Sequence, residues 1–82
     1  MKEDKIYHKA KTNPYGLRFN EFCNLIEAFG FIHRRQKGSH VIYGRPDIPE
    51  FVNIQSDRGK AKSYQVKQFL QLIEKYDLRM EE

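Results

Sequence analysis

Apolar residues recur in two helix-like stripes separated by a stretch of alternation. Phe22, Leu25, Ile26 and Phe29 stand at i, i+3, i+4 and i+7, one face of a helix over residues 20–29. Asn20 is the expected N-cap, Glu21 suits the helix dipole, and Gly30 stands where a left-handed C-terminal cap belongs. Val66, Phe69, Leu70 and Ile73 repeat the spacing and predict a second helix over residues 64–76, capped by Ser63. Three strand-like runs lie between, at 31–36, 39–44 and 50–55, the first two joined by a tight connection at Lys37-Gly38. In the second run Val41 and Tyr43 alternate against His40 and Ile42, and alternation alone leaves open which pair is buried. In the third, Val52 and Ile54 share one face, and Phe51, Asn53 and Gln55 the other. Pro46 and Pro49 keep residues 45–49 out of a central strand. Residues 56–62 predict a basic loop around Gly59. Residues 1–17 are polar with a turn signal at Asn13-Pro14-Tyr15-Gly16, and predict an arm or poorly ordered lead-in. The folded domain is expected over 18–78, with 77–82 fraying and 79–82 a charged tail.

The order is helix, three antiparallel strands, helix. Two amphipathic helices need a shared apolar surface, and one face of a three-stranded sheet supplies it. The expected class is α+β, with the αβββα layout of double-stranded-RNA-binding domains: two helices on one sheet face and the other face open. Layout does not decide function.

Composition narrows the classes. At 82 residues and 39% hydrophobic content, one small domain is expected. The single cysteine, Cys23, excludes an internal disulfide and a cysteine-based zinc site, and reads as a small core or boundary side chain. No apolar run approaches the ~18 residues of a spanning helix, and the charged N-terminus does not read as a secretory signal. The expectation is a soluble, cytoplasmic protein that does not engage membranes. Charge is the more informative signal. The net charge is +4, and residues 31–67 hold Arg34, Arg35, Lys37, Arg45, Arg58, Lys60, Lys62 and Lys67 against Asp47, Glu50 and Asp57. That excess suits a polyanion such as nucleic acid, or an acidic protein partner.

Candidates for acid–base chemistry are few. His8 falls in the polar lead-in and His33 in the first strand, and both suit structural or surface roles. His40 follows Gly38-Ser39 at the head of a strand, among Arg34, Arg35 and Lys37, where an imidazole can accept a proton beside cations that hold a phosphate. Lys60 and Lys62 could share that task, and the N-terminus of the second helix offers free N–H groups to another phosphate. Tyr64 beside the basic loop could stack on a base. No carboxylate cluster stands at metal-ligand spacing, so no metal or other cofactor is expected.

Ala28-Phe29-Gly30-Phe31, followed by Arg34-Arg35-Gln36-Lys37-Gly38-Ser39-His40-Val41-Ile42-Tyr43, resembles the HicA family of bacterial toxins. The stretch from Gly59 to Leu70 also resembles a branch of that family, which together covers about residues 18–78. The lead-in is longer than in the commoner form, and Gln55-Ser56-Asp57-Arg58 carries no second histidine. The resemblance implies an mRNA-cleaving endoribonuclease with a double-stranded-RNA-binding-like fold, silenced by a cognate HicB-type antitoxin. It places the catalytic role on His40, with Gly38 and Ser39 as the turn that presents it. Arg35, Lys37, Arg58, Lys60, Lys62, Tyr64 and Lys67 are the candidate RNA-binding side chains. The general acid for the leaving 5′-oxygen is left open among a lysine, water and Tyr43. The alternative is a non-catalytic double-stranded RNA-binding module that uses the same basic surface.

Overall fold

The expected stripe of Phe22, Leu25 and Ile26 is fully buried on a helix, and Phe69 of the second stripe lies at the centre of the core. Its ring meets Phe22, Phe29 and Phe31 edge-on, with centroids 5.9, 5.8 and 5.5 Å away. The computed structural model describes residues 2–81; Met1 of the expected lead-in and Glu82 of the expected tail lie outside the described residues. The elements are α1 (Lys2–Thr12), a 3₁₀ turn (Pro14–Gly16), α2 (Phe19–Ala28), β1 (Ile32–Lys37), β2 (His40–Arg45), β3 (Ile48–Asp57), β4 (Lys60–Ala61) and α3 (Ser63–Tyr76). The strands form one antiparallel sheet in the order β1-β2-β3-β4. The class is α+β and consistent with the expected αβββα layout, with four strands rather than three. No helix among the described residues is long and apolar enough to cross a membrane.

The fourth strand lies inside the expected basic loop. Arg58 and Gly59 both take positive φ (54° and 82°), the two-residue turn whose twist matches a hairpin. Lys60 and Ala61 thereby pair back onto Asp57 and Ser56. Two residues are too short to show a periodicity. The far side of β4 is closed by the segment entering α2: Ala61 N–H donates to Leu17 O and Phe19 N–H to Gly59 O, both at 3.0 Å. That anchorage sets where α2 begins. Arg18, not Asn20, is the N-cap, and Asn20 instead accepts the Glu21 N–H from within the first turn. Likewise Lys62 is the cap residue of α3 and Ser63 its first helical residue.

The polar lead-in is a helix on the core. Ile6 and Ala10 of α1 are buried, and Tyr7 packs edge-on against Phe29 at 5.2 Å. Lys9 and the Arg18 N–H both reach the Glu21 carboxylate, at 3.3 and 2.9 Å, and the backbone bond leads in holding that carboxyl below its usual range. The C-terminal segment is also docked rather than frayed. Leu78 and Met80 pack against the core, Leu78 N–H donates to Ile73 O, and Glu81 N–H to Ala28 O. Gly30 takes the expected left-handed cap, with φ 85° and bonds from Gly30 N–H to Glu27 O and Phe31 N–H to Ile26 O.

Two breaks in register shape the sheet. His33 pairs with Tyr43 but Arg35 with Ile42, so Arg34 is the extra residue of a bulge. Between Tyr43 and Arg45 the register with β3 shifts, and Pro46-Asp47 turns the chain. Contrary to expectation, Arg45, Ile48 and Pro49 are strand residues. Pro49 is tolerated because β4 pairs only with Ser56 and Asp57, which leaves this end of β3 without a neighbour on that side. Val41, Tyr43, Val52 and Ile54 are buried toward the helices. His40, Ile42, Phe51, Asn53 and Gln55 therefore share the open face, as the alternation of β3 implied and that of β2 left undecided.

Candidate active site

Gly38 and Ser39 form the two-residue turn between β1 and β2, and Gly38 takes φ 62°. A side chain there would be strained by the backbone, while Cβ itself would meet nothing within 4 Å. The turn places His40 at the first position of β2, exposed and directly opposite Lys37. His40 Nδ1 lies 3.3 Å from Asn53 Oδ1 on β3. An amide oxygen only accepts, so this contact is made by an Nδ1–H, and the neutral ring then carries its free lone pair on Nε2.

The turn is tied to the start of α3 through Gln55. Its Nε2 donates to Ser39 Oγ at 3.1 Å, and its Oε1 accepts from Lys62 Nζ at 2.9 Å. The buried Gln65 receives the Gln55 N–H at 2.9 Å on its Oε1 and reaches Tyr64 OH with its Nε2 at 3.4 Å. A continuous polar path thus runs from the His40 turn to the first turn of α3. There Arg58, Lys60, Lys62, Ser63 and Tyr64 line a groove of about 550 Å³ with Tyr15 of the 3₁₀ turn. Lys67, one turn along α3, donates to Tyr15 OH at 3.1 Å and sits 4.9 Å from its ring centre.

The candidate residues therefore form two neighbouring groups. Lys37, Gly38, Ser39 and His40 gather at the hairpin, with Arg35 two positions back on the same strand and opposite Ile42. Arg58, Lys60, Lys62 and Tyr64 gather at the groove with Lys67 at its margin, and Gln55 joins the groups. Tyr43 does not belong to either. It is buried beneath the sheet and donates to Glu27 Oε2 at 2.6 Å, and burial followed by that bond holds its phenol well above the ordinary tyrosine range. It is removed from the candidates for the general acid, because the strand alternation that exposes His40 turns Tyr43 to the opposite face. His33 stands edge-on to Tyr43, and His8 lies exposed on α1. Cys23 is half-buried, and burial pushes its thiol up. Among the described residues no group of three or more His, Cys, Asp or Glu could hold a metal ion.

Sequence reasoning missed Asn53, Gln55, Gln65 and Tyr15 as parts of this site. The alternation of β3 set Asn53 and Gln55 on the open face, but their contacts depend on register. Gln65 lies beside the apolar stripe of α3, with no local sign of burial.

The comparisons with known proteins bear on the same region. A search of curated proteins and a search of solved structures each found no match. The family model described as the HicA toxin of bacterial toxin–antitoxin matches residues 19–74, from the first residue of α2 into the last turn of α3 and across the Gly38-Ser39-His40 hairpin. That match spans more than half of the chain, and the chain belongs to the HicA family of toxins of bacterial toxin–antitoxin systems.

Proposed function

We propose that this toxin is a metal-independent endoribonuclease that cleaves mRNA in the cytoplasm and is silenced by a HicB-type antitoxin. The observation that carries the reading is His40, open to solvent at the head of β2, with Nδ1 engaged by Asn53, Lys37 opposite it, and Lys62 tied to its turn through Gln55. RNA brings its own nucleophile. His40 Nε2 takes the proton of a 2′-hydroxyl, the 2′-oxygen attacks the adjacent phosphorus, and the bond from phosphorus to the 5′-oxygen breaks. A 2′,3′-cyclic phosphate is left on one product. The departing 5′-oxygen takes a proton from water or from the Lys37 ammonium. Lys37 and Lys62 stabilise the charge that builds on the phosphate oxygens. Arg35, Arg58, Lys60 and Lys67 hold neighbouring phosphates, and Tyr64 is available to a base.

The test is cleavage of RNA by purified protein. General-base catalysis contributes about 10²–10⁴-fold, so His40→Ala loses that factor, about 3–5 kcal/mol of transition-state stabilisation, while keeping its circular dichroism. Activity persists in excess EDTA, and the products end in cyclic or 3′-phosphate. A folded His40→Ala variant with undiminished cleavage overturns the assignment, as do products ending in 3′-hydroxyl. RNA binding with no cleavage by the wild type leaves the non-catalytic binding module in its place.

A further inference from the structure

Phe51 is 67% exposed on the open sheet face, where solvent exposure offers a phenyl ring no stabilisation. Its ring lies against Gly44: a Cβ at that position would approach two ring atoms to 2.9 Å. Gly44 is not at positive φ, so its bare backbone serves close approach rather than a turn. The Cδ1–Cε1 edge of the ring thus rests against β2, while most of the ring is open to solvent.

The surroundings of this ring are apolar and cationic. Arg34, Arg35 and Asn53 line a groove of about 640 Å³ together with Ile42, Ile48 and Phe51, and Pro46 and Pro49 border it. The bulge at Arg34 is what brings two consecutive arginines to this groove; a regular strand would send them to opposite faces. Arg45 also borders it but is already engaged, with Nε and Nη2 on Asp47 and Nη1 on Phe29 O. Among the described residues, Arg34 and Arg35 have no such fixed engagement. Asn53 belongs both to this groove and to the His40 contact, so the groove is continuous with the candidate active site. Gly44 is four residues along β2 from His40, roughly 13 Å at the usual strand rise.

We propose that this groove binds a nucleotide flanking the scissile bond of single-stranded RNA, its base stacked on Phe51 and its phosphates held by Arg34 and Arg35. The proposal rests on the function proposed above and names a subsite of it. The combination of an anchored aromatic ring with two cations is the one that single-stranded nucleic acid uses. A duplex keeps its bases stacked inside and has no ring to offer Phe51, so the groove selects unpaired RNA. The separation from His40 assigns it to a neighbouring nucleotide rather than to the one that reacts.

The experiment uses full-length protein carrying His40→Ala, so that RNA is bound and not cut, and an oligoribonucleotide with a single 2-aminopurine moved along its length. At one position, stacking on Phe51 quenches the fluorescence on binding. Phe51→Ala in that background abolishes the quench and weakens binding about 5- to 150-fold, the range for one base on one aromatic ring. Phe51→Trp keeps both, and circular dichroism confirms that each variant is folded. In parallel, the wild type and the single Phe51→Ala variant are assayed for cleavage. Cleavage by the wild type with quench and affinity unchanged in Phe51→Ala overturns the groove while sparing the proposed function. Absence of both cleavage and RNA binding by the wild type overturns the two together. A Phe51→Ala variant that loses affinity for the antitoxin alone, with RNA binding intact, makes the groove a protein-docking surface and overturns the proposal.

Discussion

Asn53 acts on His40 at the scale of single atoms. Its contact fixes which ring nitrogen faces solvent, and a neutral hydrogen bond of this kind contributes about 0.5–1.5 kcal/mol. Asn53→Ala is therefore expected to lower kcat roughly 2- to 10-fold with KM little changed, read by steady-state cleavage of a short RNA. A kcat unmoved by this change would remove Asn53 from the positioning of His40. Phe69 is the corresponding residue for stability. It is 1% exposed and is the hub of three edge-on aromatic contacts, so Phe69→Ala costs about 3–5 kcal/mol in urea unfolding. In a domain whose whole stability is of order 5–15 kcal/mol, that leaves a large unfolded fraction.

At the scale of elements, α1 and α3 test how the helices are held. Ile6 is 4% exposed, so Ile6→Ala is expected to cost about 2–5 kcal/mol by denaturant titration, whereas a detached arm would give a change near zero. The end of α3 is fastened to β3 by charge. Glu50 accepts from Lys75 at 2.7 Å and from Tyr76 at 2.5 Å, and the Lys75 bond leads in holding the Glu50 carboxyl below the usual glutamate range. A carboxyl lowered in the folded state binds fewer protons there than in the unfolded chain. Its stabilisation is present above the ordinary glutamate value of about 4.3 and is lost as pH falls through the lower folded value. Glu50→Gln should flatten the acid side of the stability–pH curve and leave the neutral-to-alkaline shape otherwise similar. An unchanged acid limb would show that this surface cluster carries no measurable linkage, since exposed ion pairs are well screened.

The whole molecule is organised by charge as well as by its core. Eight cations stand against three carboxylates between residues 31 and 67, and six of the eight lie at the hairpin or the α3 groove. If about six of them meet phosphates of a single strand, the logarithm of RNA affinity falls with that of salt at a slope near −4, and Lys60→Ala reduces the slope by about 0.7. A slope near zero would argue against phosphate contacts here. Both groups are joined through Gln55, so one acidic partner covering about 800 Å² can hide His40 and the groove together. The expectation is that antitoxin and uncleavable RNA compete on the His40→Ala variant. A stable ternary complex with undiminished RNA affinity would require inhibition from a distance instead.

Local chemistry in the chain settled much of this protein. The spacing of Phe22, Leu25 and Ile26, and of Val66, Phe69 and Ile73, specified two buried helix faces because an apolar stripe at that period has one way to be hidden. Gly30 announced its left-handed cap because few other residues adopt that conformation without strain. The Gly-Phe and Gly-Ser-His residues carried the family resemblance, and the match over residues 19–74 bears that out. What remained depended on partners far away in the chain. A polar helix with only Ile6 and Ala10 to bury has too narrow a stripe to be told from an arm until a core exists to receive it. β4 exists because Leu17 and Phe19 close its outer edge, and α2 is capped at Arg18 for the same reason. Period two gives strands two equivalent faces, so only packing against α2 and α3 could send Tyr43 inward and His40 outward. The polar path from Ser39 through Gln55 to Lys62 joins residues up to 23 positions apart in sequence, and register alone brings them within hydrogen-bond reach.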